Sequence, residues 1–466
     1  MHSTHHHAAR GITLGDLIDW GGGVSQLPAA ARHRRFASVW NDSRSVKPGD
    51  VFIALKTDKD DGHRYVAAAL AAGAAAAIVD RKASFECSAA DRKKLIAVVD
   101  PLHAVQRIAS RYRRELGILL IGVTGSNGKT TTRQFIAAVL GAQYPLGETW
   151  SNWNNHIGVP LSLLRFTGEE WAGVLEFGAN HGGEISALSK VARPDIGVIT
   201  NIGYAHVGLF GSLAATTRSK FEILDGLNKN GGFLLVNGDD ERIVAYANRL
   251  DAEVMYFGTS PRCAIRPDSV RFDATHGLDL MVGGAAFHLP VPGRFYMYSA
   301  LPAIFLGRRC GVPDSLIAVA LAAQKPLSLR GAVEKNGEIR FIVDCYNANP
   351  SSMKSAIEGL CGMAPKGKRM AVVGDMLELG RYSVRLHHEL GALLAESGVK
   401  KVVAVGAYAA AVLDGAVKAG MPARRLVASP TAEAAIPVVR KLAAPGDVVL
   451  LKGSRGVHLE TVFESF

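Results

Sequence analysis

Residues 118–132 read Ile-Leu-Leu-Ile-Gly-Val-Thr-Gly-Ser-Asn-Gly-Lys-Thr-Thr-Thr: an aliphatic run, a glycine-rich turn, and then the helical stretch Thr132–Leu140. A short apolar run closed by glycines fits a strand buried on both faces. Glycines let backbone N–H groups curl around phosphate oxygens, and the helix N-terminus adds positive potential. Lys129 supplies a point charge and a threonine hydroxyl suits Mg²⁺. Gly125, Ser126, Asn127, Gly128, Lys129, Thr130 and Thr131 are therefore the expected nucleotide-binding residues, with ATP and Mg²⁺ as cofactors. The common G-x-x-x-x-G-K-[ST] spacing requires Gly at 123, where this chain has Val. The strand–loop–helix context still favours a triphosphate, whereas G-x-x-G-x-x-G does not match the dinucleotide-binding turn.

Outward from this loop, strand-length apolar runs alternate with helical stretches, which predicts an α/β protein of three domains. The first, residues 1–112, is a small α/β unit with strands Val51–Leu55, Ala76–Val79 and Leu95–Val99 around the Ala-rich helix Tyr65–Ala72. The second, 113–324, is a mostly parallel sheet with strands Ile118–Thr124, Val174–Phe177, Ile196–Asn201 and Phe233–Val236. The third, 325–466, is a Rossmann-like open sheet with strands Phe341–Asp344, Ala371–Gly374, Val402–Gly406 and Val448–Leu451. The histidine-rich start, residues 1–10, is tag-like and stands outside the fold reading.

With 48% hydrophobic and 20% charged residues, the composition is that of an ordinary folded α/β protein. The formal net charge of +11 suits anionic ligands, but no basic run with interleaved aromatics marks a nucleic-acid surface. Five cysteines without C-x-x-C spacing fit neither a zinc site nor a disulfide framework, so a reducing cytosol is expected. The longest apolar stretch, 66–79, is too short and too Ala-rich to span a membrane. Nothing calls for a dimer, and a monomer is expected.

In open α/β sheets ligands collect at the carboxyl ends of strands. Glu176 ends one such strand and is the leading carboxylate for Mg²⁺, followed by Gly178-Ala-Asn180-His181-Gly-Gly-Glu184. Asn201 and His206 follow the next strand, and Lys220 lies in the helical stretch Thr216–Leu224, where alone it reads as a solvated charge.

Together these segments resemble the Mur ligases of peptidoglycan synthesis. Asn152-Trp-Asn-Asn-His-Ile-Gly-Val-Pro160, Asp344-Cys-Tyr-Asn-Ala-Asn-Pro350, Gly374-Asp-Met-Leu-Glu-Leu-Gly380 and Lys452-Gly-Ser-Arg455 are similar to the branch that joins D-alanyl-D-alanine to UDP-N-acetylmuramoyl-tripeptide. Asp42-Ser-Arg44 and Ala54-Leu-Lys56 resemble its uridine-nucleotide domain. The resemblance implies a cytoplasmic ATP-dependent carbon–nitrogen ligase of cell-wall biogenesis, hence of cell shape and division, working through an acyl phosphate. It implies Lys129, Glu176, His206 and Lys220 as catalytic residues, and Thr130, Glu176, His206 and Lys220 as the Mg²⁺ set, with Lys220 carrying a carbamate. Asn180, His181, Arg330 and Asp344 join the nucleotide site. Ser43, Arg44, Lys56, Asn155, Tyr346, Asn347, Asn349, Lys452 and Arg455 are implied for the two substrates. One segment departs from the family pattern: Gly293-Arg-Phe-Tyr-Met-Tyr-Ser299 carries aromatics where the family has His and Asn near the adenine. Phe295, Tyr296 and Tyr298 suit either base stacking or the core. Two other readings are a related ligase with different substrates and a nucleotide-binding scaffold without catalysis.

Overall fold

The computed structural model describes residues 11–273, 276–325, 329–365 and 368–466. The tag-like segment 1–10 and Pro326 at the expected second boundary lie outside them.

The first sheet has the order β1-β5-β4-β3-β2, from Val24–Ser25 (β1), Val39–Trp40 (β2), Val51–Ile53 (β3), Ala76–Asp80 (β4) and Leu95–Val98 (β5). Only the β1–β5 pairing is antiparallel. The second sheet is parallel throughout, in the order β11-β10-β9-β6-β8-β7. Its strands are Leu119–Thr124 (β6), Leu146–Glu148 (β7), Ala172–Glu176 (β8), Ile196–Ile199 (β9), Phe233–Asn237 (β10) and Val254–Phe257 (β11). Every residue of β8, β9 and β10 is buried, as a sheet covered by helices on both faces requires.

The sequence reading missed the edge strands β1, β2, β7 and β11, and with them a whole meander. Ser269–Asp273 (β12), Gly277–Val282 (β13) and Ala285–Leu289 (β14) form an antiparallel meander attached to the second block. Leu278, Leu280 and Val282 point inward and are buried, while the β12 strand is mostly half-exposed. The third sheet has the order β15-β16-β20-β17-β18-β19: Ala332–Asn336 (β15), Ile339–Asp344 (β16), Arg369–Gly374 (β17), Lys401–Val405 (β18), Leu426–Ser429 (β19) and Val448–Lys452 (β20). The β15–β16 hairpin is antiparallel and the rest parallel.

The helix Pro101–Glu115 ties the first two domains together and runs through the division expected after residue 112. Asp100 caps its start, accepting from the His103 N–H at 3.0 Å, with Pro101 in the first turn, where no N–H is needed. Its buried face carries Ala104, Val105, Ile108 and Tyr112. Tyr112 donates to the Phe166 carbonyl at 2.6 Å. Arg113 donates to the Ala192 carbonyl at 2.9 Å and to Asp195 at 2.9 Å, and Asp195 also accepts from the Leu120 N–H at 2.8 Å. A buried guanidinium thus pins this helix to the foot of β6.

Candidate active site

The phosphate loop leaves β6 at Thr124 and enters the helix Lys129–Gly141, three residues earlier than the apolar pattern suggested. No side chain caps this helix end, so its first N–H groups have no side-chain acceptor, the condition for an anion site. Gly125 has φ +143°, and a Cβ there would lie 2.0 Å from the Thr200 hydroxyl, so this position demands glycine. The loop is braced from β9: the Ser126 N–H donates to the Asn201 carbonyl at 2.9 Å, and the Asn127 N–H to the Asn201 side-chain oxygen at 3.0 Å. Thr200 donates to the Asn127 carbonyl at 2.6 Å.

Lys129 folds back on the loop, donating to the Gly125 carbonyl at 3.0 Å. Its ammonium lies deep, and burial pushes it below the ordinary lysine value; Arg330 adds to this and Glu176 opposes it. Glu176, buried at the end of β8, accepts from Asn154 at 2.9 Å, while its N–H donates to Thr149 at 2.8 Å. His206 follows β9 in a left-handed backbone conformation (φ 57°). Burial lowers its tendency to protonate, with the Glu378 carboxylate opposing and Lys129 and Lys220 reinforcing. Lys220 is 2% exposed, and its ammonium lies 5.0 Å from the Phe210 ring centre. Burial, with Lys129 adding to it, brings Lys220 down to about 7. The expected solvated charge is thus an interior amine, because the helix Leu213–Phe221 turns this face inward.

Among the described residues no three His, Cys, Asp or Glu side chains are grouped to hold a metal. The expected set contains only two such side chains, Glu176 and His206, with Thr130 and Lys220. Thr130 and Glu176 offer the oxygen donors that Mg²⁺ prefers, His206 offers a nitrogen, and Lys220 would offer oxygen only as a carbamate.

The third domain closes the other side. Asn349 caps the helix Pro350–Met363, accepting from the Ser352 N–H at 3.1 Å, and donates across the cleft to Asn127 at 2.6 Å. Asn127 in turn donates to Ser351 at 2.8 Å. Arg330 lies 3.8 Å over the Tyr346 ring. Lys452 is 1% exposed and donates to Asp344 at 2.7 Å and to the Asn347 carbonyl at 3.0 Å, which shapes the loop after β16. Cys345 is buried, and burial pushes its thiol up to about 12, so it is inert packing. The exposed Arg455 pairs with the buried Glu460 at 2.9 Å.

Other expected residues stand further out. Ser43 and Arg44 follow β2 and Lys56 follows β3, so all three sit at carboxyl ends of neighbouring strands; Arg44 is exposed and paired with Asp42 at 2.7 Å. Asn155 accepts from the Ile157 and Gly158 N–H groups, which starts the helix Gly158–Leu163. Asn180 and His181 are exposed, their N–H groups donating to Glu184. In the departing segment, Tyr296 is a core residue: it is buried, stacks with Phe135 at 6.3 Å and donates to the Arg330 carbonyl at 3.1 Å. Tyr298 donates to Asp239 at 3.0 Å, and Phe295 is 37% exposed.

Sequence reasoning missed Ser351, Glu378 and the tryptophan cluster. Trp40 makes edge contacts with Trp150 at 6.0 Å and Trp153 at 5.5 Å, and Arg165 covers Trp150 at 3.9 Å. The segment 150–155 therefore touches the first domain on one side and, through Asn154, Glu176 on the other. Only the pairing of aromatics with distant aromatics signals this, and that is invisible in a linear reading.

A parallel sheet with a phosphate loop, a buried carboxylate at the next strand end and a third domain docked over both defines a nucleoside-triphosphate-using α/β ligase architecture. Family models agree: "Mur ligase family, catalytic domain" matches residues 35–113, "Mur ligase middle domain" 123–307 and "Mur ligase, glutamate ligase domain" 331–455. The chain is 35% identical to the UDP-N-acetylmuramoyl-tripeptide–D-alanyl-D-alanine ligase of Bacillus subtilis, over 91% of this chain and 92% of that one. It is similar to MurF from Acinetobacter baumannii at 30% identity and TM-score 0.85, covering 98% and 99% of the two chains. It also matches MurF of Thermotoga maritima in complex with ADP, at 26% identity and TM-score 0.79, covering 92% and 96%. The chain belongs to the Mur ligase family.

Proposed function

We propose that this protein joins D-alanyl-D-alanine to UDP-N-acetylmuramoyl-tripeptide, forming an amide bond driven by ATP. The observation that carries this reading is a convergence. Lys129 and Lys220 of the middle domain lie close enough to His206 to oppose its protonation, Glu176 lies close enough to Lys129 to favour its charge, and Arg330 and Asn349 of the third domain meet this group at the phosphate loop.

The chemistry follows from the poor electrophilicity of a carboxylate. A carboxylate oxygen of the tripeptide attacks the γ-phosphorus and ADP leaves. The amine of D-alanyl-D-alanine then attacks the acyl carbon, loses a proton, and phosphate leaves with the former carboxylate oxygen. Thr130, Glu176, His206 and a carbamylated Lys220 would hold Mg²⁺, which would supply positive charge to offset the charge that collects during phosphoryl transfer. The helix start at Lys129 and the Lys129 ammonium hold the triphosphate, assisted by Gly125, Ser126, Asn127, Gly128, Thr131, Asn180 and His181. A carbamate forms only on an uncharged amine, and the low basicity of Lys220 supports it. Ser43, Arg44 and Lys56 bind the uridine nucleotide, and the peptide passes the Trp150–Asn155 segment toward Glu176. Arg330 and Asp344 reach the nucleotide, while Tyr346, Asn347, Asn349, Lys452 and Arg455 serve the dipeptide. Docking of the third domain keeps water from the acyl phosphate. A monomer acting in the cytosol completes the reading, which the five free cysteines favour.

Phosphate release with ATP and Mg²⁺ tests it. Release is expected only with tripeptide nucleotide and dipeptide together, and Lys129→Ala is expected to slow it at least a hundredfold. Turnover with neither substrate required, or full activity in Lys129→Ala, contradicts the proposal.

A further inference from the structure

His206 belongs to the middle domain by sequence, yet the third domain grips the segment around it. The Gly208 N–H donates to the Glu378 carbonyl at 2.8 Å. A Cβ on Gly208 would stand 2.6 Å from the Gly380 nitrogen, so the two backbones touch where neither has a side chain. Val207, fully buried, packs into the third domain's core with Met376 and Leu379. Arg381 and Tyr382 both donate to the Gly211 carbonyl. Within this joint the Glu378 carboxylate lies against His206 Nδ1 as an ion-pair contact, and that buried nitrogen has no other hydrogen-bonding partner among the described residues. Both residues hold left-handed backbones, at φ 64° and 57°. Non-glycine residues hold that conformation only where their surroundings fix it, as the contacts of this joint do.

We infer that Glu378 is a positioning residue for His206, and that the metal side of the active site is complete only while the third domain is docked. An imidazole has two nitrogens. A carboxylate on Nδ1 fixes the ring orientation and places the proton on that nitrogen, which leaves the Nε2 lone pair to face the phosphate site. Glu378 arrives on the loop after β17, so separating the domains withdraws it and frees the ring. One contact thus couples two events: closure over the nucleotide and alignment of a metal ligand. This rests on the assignment of His206 under Proposed function, although the ring's state in metal-free protein is measurable without it.

The test is ¹⁵N-imidazole NMR of the metal-free full-length protein, with the His206 signal assigned by its loss in His206→Asn, alongside the Mg²⁺ dependence of phosphate release. In the wild type His206 is expected as the Nδ1–H tautomer. Glu378→Ala is expected to mix the tautomers, raise the half-saturating Mg²⁺ concentration about tenfold, and expand the particle in small-angle scattering. Glu378→Gln, which still offers an acceptor oxygen, is expected to restore the tautomer in large part. If Glu378→Ala does not fold, Glu378→Asp, with its carboxylate drawn back one methylene, is expected to move the same signals in the same direction. Unchanged tautomer and Mg²⁺ dependence in the folded variant overturn the inference. A wild type whose turnover ignores Mg²⁺ instead overturns the metal assignment on which the coupling rests.

Discussion

Lys220 shows how burial alone changes what a residue is. A lysine ordinarily near 10.5 sits at about 7 here, because its ammonium has been taken out of water beside Lys129, with Glu222 and Glu184 only partly opposing. The folded chain therefore binds fewer protons than the unfolded chain between pH 7 and about 10. Stability rises with pH through that window, and the contribution is lost as pH falls to 7. In CO₂-free buffer, Lys220→Met is expected to abolish this slope, worth about 1.4 kcal/mol per pH unit, as read from urea melts of the two proteins at pH 7 and 9. A parallel pH dependence in both contradicts the burial argument. At this scale the sequence was legible for Lys129 and Glu176, because glycine turns and strand ends announce ligand-facing positions locally. The resemblance marked the segment Gly374–Gly380, but nothing local set Glu378 apart within it, since its partner His206 lies more than 170 residues away.

Elements follow the same division. The strands β6, β8, β9 and β10 were readable because burial on both faces makes them continuous aliphatic runs. The β12–β14 meander was not, since its short strands mix exposed and buried residues without strict alternation. The helix Pro350–Met363 meets the phosphate loop through its N-cap. Asn349 is 2% exposed and serves at once as N-cap and as bridge to Asn127. Asn349→Ala is expected to cost about 1–2 kcal/mol in thermal or chemical denaturation, from the lost cap and bridge. It is also expected to weaken ATP binding in calorimetry, because the phosphate loop loses its third-domain brace. A variant with unchanged stability and nucleotide affinity removes Asn349 from the site.

The whole molecule has one fixed joint and one working joint. Between the first and middle domains, the core is continuous along the helix Pro101–Glu115, and buried Arg113 pairs with half-buried Asp195. Arg113→Ala removes its hydrogen bonds to the Ala192 carbonyl and to Asp195, and is expected to lower stability by about 2 kcal/mol, measured as a shifted urea midpoint. Between the middle and third domains, contact combines the polar bridges of Asn127, Asn349, His206 and Glu378 with the apolar seat of Val207 beside Met376 and Leu379. This joint brings the phosphate loop to the dipeptide side, and the proposed acyl phosphate exists only there. The direct measurement is oxygen tracing: tripeptide nucleotide labelled with ¹⁸O in its reacting carboxylate is turned over with ATP and D-alanyl-D-alanine, and the released phosphate is weighed by mass spectrometry. One ¹⁸O per phosphate is expected, transferred from the carboxylate through the acyl phosphate; phosphate released without label contradicts the mechanism.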